Sequence, residues 1–195
     1  MIDIQEVPKP EPESPLNSRV AILVAMAATL MAIGNIKDGN IVQAMAQVQA
    51  KSVNAWSFYQ AKSTKQILAG NMAEQLSIQL QLTPGIKSDL RQPIEAEITR
   101  YKSEAARYEQ EKAEIKKQAE GFQAEYERLN IHDDQFDMSE ACFSVSIALA
   151  GVTALTRKQW LLTFAVSMAA IGIVLELAGF LGWAFHPEWL AKLLG

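Results

Sequence analysis

The sequence predicts an all-α integral membrane protein in which three transmembrane helices flank a long extramembrane antiparallel helical hairpin, coiled-coil-like, between spans one and two. Three observations carry this expectation. Nearly charge-free apolar runs occupy residues 20–36, 141–155 and 160–185, although only 49% of the chain is hydrophobic. Residues 38–140 hold 12 Lys and Arg against 16 Asp and Glu. Within that charged stretch, apolar and aromatic residues recur at alternating spacings of four and three, the pattern of helices that pair with helices.

Residues 1–18 form a Pro/Glu-rich tail with four prolines between Val7 and Pro15, a composition that cannot bury a core and reads as disordered. The first span is placed at 19–37. A bilayer core of about 30 Å needs at least about 17 helical residues, and the run 20–36 meets that limit between Arg19 and Lys37. It reads as a signal anchor rather than a cleaved leader.

Residues 38–82 read as the first hairpin helix, with Ile41, Met45, Val48, Ala55, Tyr59, Ala69, Ala73, Leu76 and Leu80 on one seam, weakened at Ser52, Lys62 and Gln66. The helix is expected to continue directly from the first span, bent near Gly34 or Gly39. A turn over 83–92 contains Thr83-Pro84-Gly85. Pro93 then suits the first turn of the returning helix, 93–132. Its seam runs through Ile94, Ile98, Tyr101, Ala105, Tyr108, Ile115, Ala119, Phe122, Tyr126 and Leu129, interrupted by Lys112. Folding at Pro84 brings Tyr59 near Tyr108.

The second span, 133–156 including a capping segment, and the third, 160–185, form a membrane hairpin. Trp160 and Trp183 are 23 residues apart, about 35 Å of helix, the separation of two interfacial aromatic belts. Small residues at four-residue spacing (Ala21, Ala25 and Thr29; Ser144 and Ala148; Ala178 and Gly182) read as packing seams. Residues 186–195 read as an interfacial C-terminal segment, in which Pro187 opens a short helix.

The strings NIVQAMAQVQA (40–50), WSFYQA (56–61) and LNIHDDQFDMSEA (129–141) together resemble the bacterial membrane family catalogued as domain of unknown function 4337, over about Ser18 to Trp183. The resemblance implies a bacterial inner-membrane protein with this order of spans and hairpin. It brings no assigned activity and no catalytic residues. Where the family is usually acidic, as KDDN after the first span, this chain has Gly39.

Several function classes lose support. A net charge of -4 without a basic patch argues against a nucleic-acid partner. Cys142 is the single cysteine, which excludes an intramolecular disulfide and a thiolate metal site. Ser, His and Cys form no nucleophilic constellation and no Gly-rich phosphate loop is present, so neither an enzyme nor a cofactor is expected.

The candidate residues are few. Glu176 is the single ionisable group inside a span, level with Gly34 and Asn35 and about a turn from Lys37 if spans one and three run parallel, so pairing with Asn35 or Lys37 is expected; the functional alternative is proton or ion handling. His132, Asp133, Asp134 and Asp137 precede the second span. The stronger reading there is capping by Asp134 or Ser139, the weaker a divalent cation. Trp56, Phe58 and Tyr59 are consecutive or nearly so and cannot share one helical face, so one must meet another helix or subunit. With Tyr101, Tyr108, Phe122 and Tyr126 they are the expected hairpin and oligomer contacts.

The leading functional expectation is a structural or scaffolding homo-oligomer of the bacterial envelope with membrane lipid as its other partner. The alternatives are a channel or transport subunit with Glu176 near the pathway, or an accessory subunit that needs a membrane-complex partner. Arg157 and Lys158 in the short connection, with Lys9 and Arg19, put the hairpin on the periplasmic side by the positive-inside rule, against which Lys37 and Lys192 count.

Overall fold

The computed structural model describes residues 15–183, which form three helices and no strand. They are α1 (Pro15–Leu82, 68 residues), α2 (Ser88–Thr156, 69 residues) and α3 (Gln159–Leu181, 23 residues). Each contains a window long and apolar enough to cross a membrane. The expectations for residues 1–14 and 184–195 lie outside the described residues.

Several element boundaries differ from expectation. Helix α1 already includes 15–18, because Pro15 suits a first helical position, where the missing N–H has no intrahelical role. It then runs unbroken to Leu82. It stops there because Pro84 disfavours the helical conformation at Thr83. Ile86 N–H donates to Thr83 O at 3.2 Å, and Lys87 O accepts from Leu90 and Arg91, both at 3.0 Å, to start α2. The second long helix thus begins at Ser88 rather than 93, which leaves Pro93 inside it. Only one backbone bond is lost there, on an exposed segment where water can replace it.

Helix α2 continues through 130–140 without interruption, so the expected boundary at 133 does not exist. Asp134 and Ser139 consequently cap nothing; a mid-helix residue has no free amide to receive. At the other end of α2 the connection is only Arg157 and Lys158, made possible by Arg157 in the left-handed region at φ 56. Helix α3 ends at Leu181 rather than 185. Gly182 adopts φ 69, and its N–H and that of Trp183 bond back to Gly179 and Ala178.

The chain divides into two compact units, 44–128 and the remainder. In the first, the residues turned away from solvent include those at the four-three spacing: Met45 through Leu80 on α1, Ser52, Lys62 and Gln66 among them, and Ile94 through Tyr126 on α2 with Lys112. The seam's polar members meet one another. Lys62 pairs with Glu111. Lys112 donates to Gln66 Oε1 at 2.8 Å and pairs with Glu109 at 2.7 Å. Each lysine also lies over a tyrosine of the other helix, Lys62 at 5.3 Å from Tyr108 and Lys112 at 5.9 Å from Tyr59. Hydrogen bonding to Lys62 holds the Glu111 carboxyl below its ordinary range. What reads in sequence as damage to the seam at Lys62, Gln66 and Lys112 is a set of polar groups that find partners on the facing helix.

In the other unit, α2 and α3 pack through positions 139, 143, 146, 150 and 153 against 161, 165, 169, 172, 175 and 179. Ser146 Oγ donates to Ala165 O at 2.8 Å and Ser139 Oγ to Gly172 O at 2.9 Å. Helix α1 contributes Val20, Ala27, Gly34 and Ile41, spaced by sevens. Of the small residues expected to form seams, Ala178 is buried, whereas Ala21, Ala25, Thr29, Ser144, Ala148 and Gly182 are exposed. An Ala-rich span offers small residues on every face, so spacing alone does not choose among them.

Candidate functional site

The polar groups of the second unit gather where the start of the α2 apolar run, the end of α3 and the stretch of α1 after Gly34 come together. Two aromatic rings build the frame. Phe136, 3% exposed, meets Phe180 edge-on at 5.2 Å and lies so close to Gly179 that a Cβ there would stand 2.7 Å from its ring. Phe143, 1% exposed, sits likewise on Gly172, where a Cβ would stand 3.1 Å away. At Gly179 a side chain has no room unless the ring shifts, and at Gly172 the ring would have to yield by a few tenths of an ångström.

Within this frame Glu176 is 4% exposed, and its Oε1 has no hydrogen-bond partner. It faces Gly34, where a Cβ would come to 3.0 Å from that oxygen. The level of Glu176 on α1 therefore agrees with expectation, but the expected pairing does not form. With its amide oxygen and nitrogen interchanged, the orientation that satisfies both, exposed Asn35 donates to Met31 O at 3.1 Å and to Glu140 Oε2 at 3.2 Å. Lys37 is exposed.

A helical turn beyond Gly34, Asp38 meets Asp133 of α2. Both lie outside the apolar runs 20–36 and 141–155. Each has one buried carboxylate oxygen without a donor, as two ionised acids facing each other must. A single proton satisfies both by making one acid a donor. Burial first, then the charge of Asp38 and the neighbouring Asp137 and Asp134, pushes Asp133 up to about 7. Asp38 is also raised, by burial and by Glu140, with the hydrogen bond from Asp133 opposing.

The sign of the resulting pH dependence follows. The unfolded acid ionises near 4 while the folded one keeps its proton to about 7, so stability falls as pH rises through that window and is level above it. Thermal melting between pH 5 and 8 should show this decline, and Asp133→Asn should flatten it. Discounted for screening of a half-buried group, an effect of ~1 kcal/mol is expected, raising the variant's Tm by about 2–4 °C at pH 8.

The remaining acidic candidates do not converge. His132 Nδ1 lies 3.1 Å from Gln135 Oε1, Asn130 donates to Asp134 at 3.3 Å, and Asp137 is exposed. Among the described residues no three His, Cys, Asp or Glu side chains are grouped to hold a metal ion. Consecutive positions 132, 133 and 134 point about 100° apart on a helix, which is why proximity in sequence gives no ligand set here. Gln135, fully buried, donates to Trp183 O at 2.8 Å and ties α2 to the end of α3.

Of the aromatic candidates, Trp56 and Tyr59 are half-buried and meet edge-to-face at 5.5 Å. Tyr101, Tyr108, Phe122 and Tyr126 are half-buried along the α2 seam. Phe58 alone is left outside, 63% exposed. The functional candidates missed by sequence reading are Asp38, Gln135, Glu140 and the glycines under the rings. Asp38 and Asp133 each border an apolar run, a signal that becomes a pair only when the register of α1 on α2 is known.

These features define an all-helical protein with three helices capable of crossing a membrane and a buried polar cluster at one end of that unit. Residues 16–182 match the family described as Domain of unknown function (DUF4337), and the chain belongs to it. No curated protein and no solved structure matches.

Proposed function

We propose that this protein is a non-enzymatic membrane-anchored scaffold of the bacterial inner membrane: three spans hold a coiled-coil-like helical hairpin outside the bilayer, and the hairpins of several copies associate. The supporting observation is that residues 44–128 bury a single seam between two helices while leaving Val53, Phe58, Ile67, Leu68, Ile78 and Leu82 each about half exposed or more. Two helices alone bury little surface, and apolar residues on the outside of such a pair call for further helices. Native mass measurement of the detergent-solubilised chain should give a multimer; a monomer would sink the scaffold reading.

The positive-inside rule, through Arg157 and Lys158, supports a periplasmic hairpin. In a Cys142→Ser background, a cysteine at Ser88 should react with an impermeant thiol reagent in intact cells and one at Gln159 should not. The reverse pattern would overturn this orientation.

A second reading, a channel or transport subunit, is favoured by Glu176 alone, since a buried acid without a donor on Oε1 is expensive inside a span. It requires ion flux in liposomes that Glu176→Gln abolishes. The third, an accessory subunit, requires a different protein to co-purify in fixed proportion.

A further inference from the structure

We propose that an uncharged stripe on the outer face of α1 is the surface on which a second copy of this chain docks, α1 against α1, parallel and in register. The inference deepens the self-association reading above and rests on it. Charge is distributed very unequally between the two helices of the 44–128 unit. Residues 88–128 contain 18 charged side chains and residues 44–82 contain four, Lys51, Lys62, Lys65 and Glu74. At 100° per residue, Val53, Gln60, Thr64, Ile67, Asn71 and Ile78 fall within an arc of roughly 60°, about 150° from the seam that meets α2. All six are exposed, with Val53 at 54%, Ile67 at 58% and Ile78 at 48%. The three lysines lie on other faces and Glu74 stands at the margin. An isolated solvated helix face would carry charge as α2 does.

The chemistry of the stripe selects its occupant. It repeats every eleven residues, with Thr64 following Val53, Asn71 following Gln60 and Ile78 following Ile67. That period keeps a nearly straight helix in contact with a like helix over its length. A lipid surface does not suit Gln60, Thr64 and Asn71, and the charged faces of α2 would lose solvation against them. A second copy of the same stripe suits it, because a side-chain amide is both donor and acceptor and can bond to its own image, as a charged group cannot.

The same continuous helix carries the apolar run 20–36 and the stripe. Copies anchored in one bilayer share one orientation, so their α1 helices run parallel and identical residues meet. A polar side chain inside such a contact fixes the register, which is the role open to Asn71.

The test uses the full chain in liposomes, with Cys142→Ser and single cysteines at Val53, Ile67 and Ile78 on the stripe or at Arg107 and Lys116 on α2. Oxidation should give covalent dimers at all three stripe positions, since only a parallel, in-register pair brings all three identical sites together, and few at the two controls. A multimer by native mass that links at the α2 sites, or at none, overturns the docking surface and leaves the scaffold reading standing. A monomer removes both. Val53→Lys combined with Ile67→Lys alters exposed positions only, so helix content by circular dichroism should persist while self-association weakens at least tenfold. Unchanged association of that variant would also overturn the proposal.

Discussion

Phe143→Ala should be among the most destabilising single substitutions in the chain, lowering stability by about 3 kcal/mol and Tm by about 6–12 °C in detergent. The ring is 1% exposed and rests on the Gly172 backbone position, so its removal leaves a cavity that neither helix can close without moving. Between helices in lipid no hydrophobic transfer favours association, and the expected loss is mostly forfeited packing, which places it near the lower end of large-to-small changes. Leu155→Ala is the matching control: Leu155 is 87% exposed, and the change should stay within about 0.5 kcal/mol. Thermal unfolding of the two variants side by side would test the assignment, and equal Tm values would refute it.

Gly179→Ala should destabilise although alanine is the better helix former. The gain in helix propensity is about 1 kcal/mol, but the new methyl would stand 2.7 Å from the Phe136 ring. That ring is held edge-on by Phe180 and has Gly34 near its other side, so it cannot simply retreat. Overpacking of this kind typically costs 1–3 kcal/mol, and we expect a net loss of about 1–2 kcal/mol. The same substitution at Gly70 or Gly121, where an added Cβ meets nothing within 4 Å, should stabilise by about 0.5–1 kcal/mol. Opposite signs at helical glycines would be the signature of the ring contact, and recovery by Gly179→Ala with Phe136→Leu would place it.

The helical content and the three apolar runs were legible because both depend on the order of residues along one helix. The same holds for the seams. The four-three spacing marked Met45, Val48, Ala55, Ile98 and Ala119, all buried, because a periodic pattern states which residues share a face. Even Lys62, Gln66 and Lys112, which break the apolar pattern, were on the right face; their solution as partners of one another and of Glu111 was not visible. Helix boundaries were less legible. The acids before the second apolar run suggested a helix start, yet α2 passes through them, since packing against α3 through Phe136, Ser139 and Phe143 keeps that segment helical.

The candidate site divides in the same way. Glu176 stood out from the sequence as an acid within an apolar run, and Asp133 as one of a cluster. Their surroundings did not. That Asp133 meets Asp38, that Asn35 turns to Glu140 and that Glu176 faces the Gly34 backbone all depend on the relative register of three helices.

By itself, the order of residues determined a helical chain with three runs able to span a bilayer and with one face of each long helix reserved for another helix. The tertiary structure alone decided which acids share a boundary and which glycines lie under a ring. Periodicity states the direction a side chain takes from its own helix axis. Register between helices is set instead by rings lodged against glycine, and no local pattern states where such a ring will lodge.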